Sequence, residues 1–161
     1  IYNKDAEPKN YDNTGVKPEG DANLAEMVQG ALDLFGDKDP FFMAIEGGEI
    51  DWGGHSNKVM PTVMGVIDMD NAIRKAYDFY LAHPDETLII VTADHETGGT
   101  CVAYNEHTPG VKDTVKLSFK TKGHTGTVVP VFAYGAGARY FGGVMKNTDI
   151  PWRLELLMKR D

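Results

Sequence analysis

The chain has 161 residues, 42% of them hydrophobic, enough for one globular domain that buries a sizeable core without a disulfide staple. Its formal net charge of -8 excludes a general nucleic-acid binder, which needs a basic field to release counterions. No stretch approaches the roughly 20 consecutive apolar residues of a membrane helix, and the single Cys101 has no partner for an internal disulfide.

The first segment, residues 1–22, is polar, rich in Asn, Asp, Pro and Gly, and without periodicity. It reads as a mobile arm or as an internal stretch of a longer protein. From Asn23 the pattern changes: Leu24, Met27, Val28, Ala31, Leu32 and Phe35 recur at helical spacing. Asn23 and Glu26 form a capping-box pair at the start of this helix, and Gly36 stands where a C-terminal cap belongs. "PFFMAIE" is a short apolar run of the kind found in strands buried on both faces. It leads directly into "EGGEIDWGGH", residues 46–55, which gathers Glu46, Asp51 and His55 among four glycines.

A long helix is predicted from about Val59 to Leu81, with Val63, Val66, Ile67, Ile73, Ala76, Tyr77 and Tyr80 on one face and Pro84 beyond its end. "TLIIVTAD" is a second buried strand and "HETGGT" a glycine turn after it. Further strands are expected over Gly99 to Tyr104, Thr114 to Phe119 and Val128 to Tyr134, and a closing helix over Ile150 to Lys159 with Pro151 in its first turn. Apolar strands alternating with helices predict an α/β fold, layered helix/sheet/helix, with a mostly parallel central sheet. Ligands of such sheets sit at the carboxyl ends of strands, which makes "EGGEID" and "ADHETGG" the candidate site loops.

Extended chain would separate Glu46 from Asp51 by about 16 Å and aim them at opposite faces. Gly47 and Gly48 permit the turn that brings them back. Asp51 and His55 are four apart, aligned if the segment is helical, although Gly53 and Gly54 suit a tight loop equally. Either way a carboxylate and an imidazole can converge on one cation, and carboxylate plus histidine without cysteine suits zinc with an open position. The bland alternative is a glycine-rich connection with its acids in water. Asp94 and His95 end the second strand, where joint binding requires the strand to break; a helix cap or surface turn is the plain alternative. His124 lies in "TKGHTG" just before a strand, where a lone histidine in a loop has an ordinary surface residue as its plain alternative; His83 and His107 sit among turn residues and read as surface groups.

The ordered motifs E-G-G-x-I-D-x-x-x-H, a helix carrying "VIDMDNAI", "VTADHETGG" and "GHTG" before a strand resemble the C-terminal part of alkaline phosphatases. The resemblance runs from "NLAEM" at Asn23 to the last helix, so residues 23–161 are expected to be the C-terminal portion of such a domain. It implies hydrolysis of phosphate monoesters through a phosphoserine at a site with two zinc ions and one magnesium. Carried over by position, Asp51, His55 and His124 match ligands of one zinc, Asp94 and His95 of the second, and Glu46 of the magnesium.

The nucleophilic serine and the phosphate-clamping arginine of the family have no counterpart in context here. The serines are Ser56 and Ser118, and the arginines Arg74, Arg139, Arg153 and Arg160. Thr97 and Thr125 stand near the expected ligands without the motif of a nucleophile. The resemblance therefore implies a missing N-terminal half, negligible turnover by this chain alone, a homodimeric intact enzyme and a periplasmic or extracellular location. The alternatives are a catalytically silent metal-binding domain and a related phosphoryl- or sulfuryl-transfer enzyme of the same superfamily.

Overall fold

The computed structural model describes residues 20–36, 40–103 and 116–159. Most of the polar first segment, with Tyr104, His107, Thr114 and Arg160, lies outside the described residues. Helix α1 spans Leu24–Phe35 and opens with the expected capping box: Asn23 Oδ1 accepts from Glu26 N at 2.8 Å and Glu26 Oε2 from Asn23 N at 2.8 Å. Helix α2 covers Glu49–Ser56, and α3 runs over Val59–Ala82, one residue past the predicted end. Pro61 falls in the first turn of α3, where its missing N–H costs nothing.

The strands are β1 Leu88–Thr92, β2 Glu96–Thr97, β3 Cys101–Ala103, β4 Lys116–Ser118, β5 His124–Thr125 and β6 Val131–Gly135. A 3-10 turn at Ala138–Phe141 and helix α4, Asp149–Met158, complete the described chain. The molecule is thus α/β, but the mostly parallel central sheet expected from the sequence is not found among the described residues. They form three two-stranded ladders, β1 with β6, β2 with β5 and β3 with β4, all antiparallel.

The physical reason lies in "PFFMAIE", which forms no strand. Residues Pro40 to Ile45 and Leu88–Thr92 of β1 line one cavity of ≈ 730 Å³, and no ladder joins the two segments among the described residues. Parallel pairing needs two extended segments bonded edge to edge. On its other edge β1 takes β6, in a register from Leu88↔Gly135 to Thr92↔Val131.

Helix α3 organises the rest, packing on α1, α2 and β1. Tyr134 of β6 meets Tyr77 and Tyr80 of α3 at ring-centroid distances of 5.7 and 4.9 Å, and Phe41 meets Phe79 edge-on at 5.8 Å. The buried apolar core of the described residues is small: Ala25, Val28, Ala72 and Phe141. Large side chains such as Phe42, at 63% exposure, and Phe132, at 64%, stand in the open.

Candidate metal centre

The run that gathers three ligand-type residues resolves into helix α2, and its second glycine pair explains how the helix reaches the site. A Cβ on Gly53 would lie 2.5 Å from Thr62 Oγ1 of α3, and one on Gly54 3.0 Å from the Thr97 carbonyl oxygen of β2. Only residues without side chains let α2 lie this close to both neighbours. Helical spacing then puts Asp51 and His55 on one face, with His55 Nε2 3.3 Å from Asp51 Oδ2. Asp51 is in the first turn and His55 in the last, the arrangement that complements the helix dipole. The helix stops at Asn57, in the left-handed conformation at φ 54°, whose N–H returns to the Gly53 and Gly54 carbonyls.

Two loops bring the other histidines to that face. β2 pairs Thr97 with His124 and Glu96 with Thr125 of β5. His124 Nε2 lies 3.1 Å from His55 Nε2 and 3.7 Å from Asp51 Oδ1. The His95 and His124 rings stack with centroids 3.5 Å apart. Asp94 stays beside His95, with Oδ2 3.3 Å from His95 Nε2 and Oδ1 accepting from the His95 backbone N–H at 3.0 Å, and it is otherwise exposed to solvent.

Asp51, His55, His95 and His124 therefore converge, with Asp94 at the margin through His95. Glu46 is exposed in the turn before α2, its carboxylate beside Gly48, and is not brought into the group of Asp51, His95 and His124 whose ligand atoms all lie within 4.8 Å of one another.

The donor set fits a zinc ion. Ligands around tetrahedral zinc, at roughly 2.0–2.1 Å from the metal, stand about 3.4 Å from each other. His55 Nε2 and His124 Nε2 are 3.1 Å apart, and the Asp51 carboxylate approaches them through its two oxygens, Oδ2 at 3.3 Å from His55 and Oδ1 at 3.7 Å from His124. His55 Nδ1 is 2.6 Å from the Lys122 carbonyl oxygen, a bond that makes Nδ1 the protonated nitrogen and turns Nε2 toward the cluster.

Two residues that sequence reasoning did not place in the site hold it together. Thr97 Oγ1 donates to Asp51 Oδ1 at 2.5 Å and lies 3.2 Å from His95 Nδ1. Glu96 accepts from Thr125 Oγ1 at 2.5 Å, from Thr100 N at 2.7 Å and from Gly99 N at 3.2 Å. The Thr125 hydroxyl, then the Thr100 amide, hold the Glu96 carboxyl below its usual range. The available signal was position: both follow directly on Asp94 and His95 at a strand break. Arg139 and Arg153, by contrast, are engaged with Tyr140, through its hydroxyl at 2.9 Å and its carbonyl oxygen at 2.5 Å.

The sequence profile of the alkaline phosphatase family matches residues 10–114. Among curated proteins, Alkaline phosphatase 3 of Bacillus subtilis (strain 168) is 28% identical over 89% of this chain and 45% of its own length. Alkaline phosphatase H of Pseudomonas aeruginosa (strain UCBPP-PA14) is 32% identical over 79% of this chain and 29% of its own. Among solved structures, alkaline phosphatase from the Antarctic bacterium TAB5 superposes with a TM-score of 0.78 and 36% identity over 88% of this chain and 42% of that one. Mutants of the TAB5 enzyme were solved with Mg bound in the M3 site. The chain thus spans less than half the length of the curated relatives it matches. With the family profile matched over most of the chain and the fold superposing on a solved member, the chain belongs to the alkaline phosphatase family.

Proposed function

We propose that this chain contributes the zinc-binding part of a metal-dependent alkaline phosphatase that hydrolyses phosphate monoesters through a phosphoserine. The observation that carries the reading is the mutual approach of Asp51, His55 and His124 to within 3.1–3.7 Å, with His95 stacked on His124. In this reading Asp51, His55 and His124 hold one zinc, Asp94 and His95 the second, and Glu46 the magnesium. Bound zinc supplies Lewis-acid stabilisation of the oxygens between which the phosphoryl group passes.

The chain's own residues prepare that site. The Lys122 carbonyl fixes the His55 tautomer, Thr97 orients Asp51, and the Glu96 to Thr125 bond anchors the segment bearing His124. Ser56 donates to the Gly53 carbonyl at 3.0 Å in the last turn of α2, a local helix-end bond rather than a nucleophile's setting. The nucleophilic serine and the phosphate-binding arginine are accordingly assigned to the part of the enzyme that the relatives have beyond the matched region. That part is also the partner for the free edge of β1 and the cavity beside it. A homodimer and a periplasmic or extracellular location complete the proposal, both by family analogy.

The purified chain is expected to bind zinc yet turn over p-nitrophenyl phosphate negligibly, and to gain activity when the complementary part of the enzyme is supplied. Robust zinc-dependent turnover by the 161-residue chain alone would show that the nucleophile lies within it.

A further inference from the structure

The two-residue strand β2 works as a bracket between segments far apart in the chain. Its adjacent side chains point to opposite faces, as strand geometry requires. Thr97 reaches Asp51 of α2, and Glu96 reaches Thr125 of β5. The Glu96 side chain also closes its own turn, taking the Gly99 and Thr100 amides. Its carboxylate therefore joins the turn that follows His95 to the residue that follows His124, a link spanning 29 residues.

His124 needs such a link. Its β-ladder with Thr97 is one of only two residue pairs in that sheet, and its own imidazole is largely exposed. A two-pair ladder is too short to fix a side chain by backbone bonds alone. Without the Glu96 to Thr125 bond, the segment Gly123–Gly126 would keep the backbone bond from Gly98 N to Gly123 O at 2.9 Å but lose its side-chain anchor beyond His124.

We propose that Glu96 is a positioning residue: by gripping Thr125 it holds the His124 ring against His95 and beside His55 before any ion arrives. The inference rests on the zinc-site reading above for its consequence, though the geometry it asserts exists in the metal-free chain. Pre-set ligands bind an ion without first losing conformational freedom, so the bond shows itself as zinc affinity.

The test uses the full chain and its variants Glu96→Ala, Glu96→Gln, Thr125→Val and the Glu96→Ala/Thr125→Val double variant. In the metal-free chain, nuclear Overhauser contacts between carbon-bound ring protons of His95 and His124 report the stack directly. They are expected in the wild type and in Glu96→Gln, whose amide still accepts from Thr100 N and donates to the Thr125 hydroxyl. They are expected to vanish in Glu96→Ala and Thr125→Val. Zinc affinity, from competition with a chromophoric chelator, should fall about 10- to 100-fold in Glu96→Ala and in Thr125→Val and stay near wild type in Glu96→Gln. The double variant should lose no more than either single one, because both remove the same link. In cobalt-substituted samples the visible absorption of the tetrahedral site should change with the same variants. Retained ring contacts with unchanged affinity in Glu96→Ala and Thr125→Val, or additive losses in the double variant, overturn the proposal. A wild type that shows the ring contacts but binds no zinc defeats the zinc-site reading and leaves the positioning role standing.

Discussion

Gly53 of α2 sits directly against Thr62 of α3, so close that a Cβ on the glycine would be 2.5 Å from the threonine hydroxyl and 2.6 Å from its backbone nitrogen. Thr62 cannot yield, because its hydroxyl is bonded to the Lys58 carbonyl at 2.8 Å and it is buried. The expected result for Gly53→Ala is a loss of about 1–3 kcal/mol of stability from overpacking. Because the strain is relieved by moving α2, Asp51 and His55 move with it and zinc affinity drops as well. Chemical denaturation with and without zinc measures both; a variant of wild-type stability and affinity would mean that the contact has slack.

Thr97 bridges a carboxylate and an imidazole that the family resemblance assigns to different zinc ions. Replacing it with valine keeps the shape and removes the donor, so Asp51 loses its orientation. Zinc affinity should fall roughly 10- to 100-fold, with Thr97→Ser staying near wild type. Equal affinities for the valine and serine variants would rule out the hydroxyl as the operative group.

On the zinc-site reading, the ion would bind residues brought together only by folding, so zinc should raise the thermal midpoint of the chain. At a free concentration a hundred times Kd the stabilisation is about 2.7 kcal/mol. Chelation should reverse it, and Asp51→Asn should abolish the zinc-dependent shift by removing the carboxylate that approaches both His55 and His124. Calorimetric scans with and without zinc give the answer.

Partial burial, with the Asp68 charge as a lesser cause, raises the Glu49 carboxyl above its usual range. The folded chain therefore holds this proton more tightly than the unfolded one. Its stabilising contribution is complete below the unfolded-state value and is lost as pH rises through the folded one. Glu49→Gln should accordingly be the more stable protein at neutral pH, with the advantage shrinking as pH falls through the raised folded-state value and gone below the unfolded-state value. Urea midpoints across that range should show the difference closing on acidification; a constant difference would assign it to packing.

Exposed Phe42, Phe132 and Trp152, with one edge of β1 unpaired among the described residues, leave more apolar surface in water than a self-sufficient domain tolerates. Sedimentation of the isolated chain should show concentration-dependent association that the complementary part of the enzyme suppresses. A dilution-resistant monomer would contradict this.

Local rules explain what the sequence revealed. The Asn23–Glu26 capping box and all but the last residue of α3 follow from contacts within a few residues, whereas β6 was expected from Val128 and starts at Val131, because Pro130 has no N–H for a ladder. Asp51, His55 and His95 stood out as candidates because glycine turns after apolar runs mark where a chain delivers ligands, whereas His124 entered only through the family resemblance. "PFFMAIE" misled because an apolar run reports burial without naming the partner, and here the partner position is a cavity. Helix α2 was open between helix and loop because its glycine pairs lower helix propensity, and what decided it was close packing on Thr62 and Thr97. Glu96 escaped notice, and Thr97 was seen beside the ligands without a role, since their partners, 29 and 46 residues away, leave no periodic trace.

Those same separations set an order of events during synthesis. The bonds that assemble the cluster close loops of 29, 46 and 69 residues, whereas α1 and α3 need only their own turns. Gly98 is the junction: its N–H bonds the Gly123 carbonyl, its carbonyl accepts from Lys120 and Thr121, and a Cβ there would press on the Gly54 carbonyl oxygen at 2.9 Å. A growing chain thus displays finished helices well before it owns a zinc site. On the zinc-site reading, Asp51 and His55 gain their third partner only once the segment around His124 has left the ribosome, so the ion would be captured near the end of folding rather than at its start.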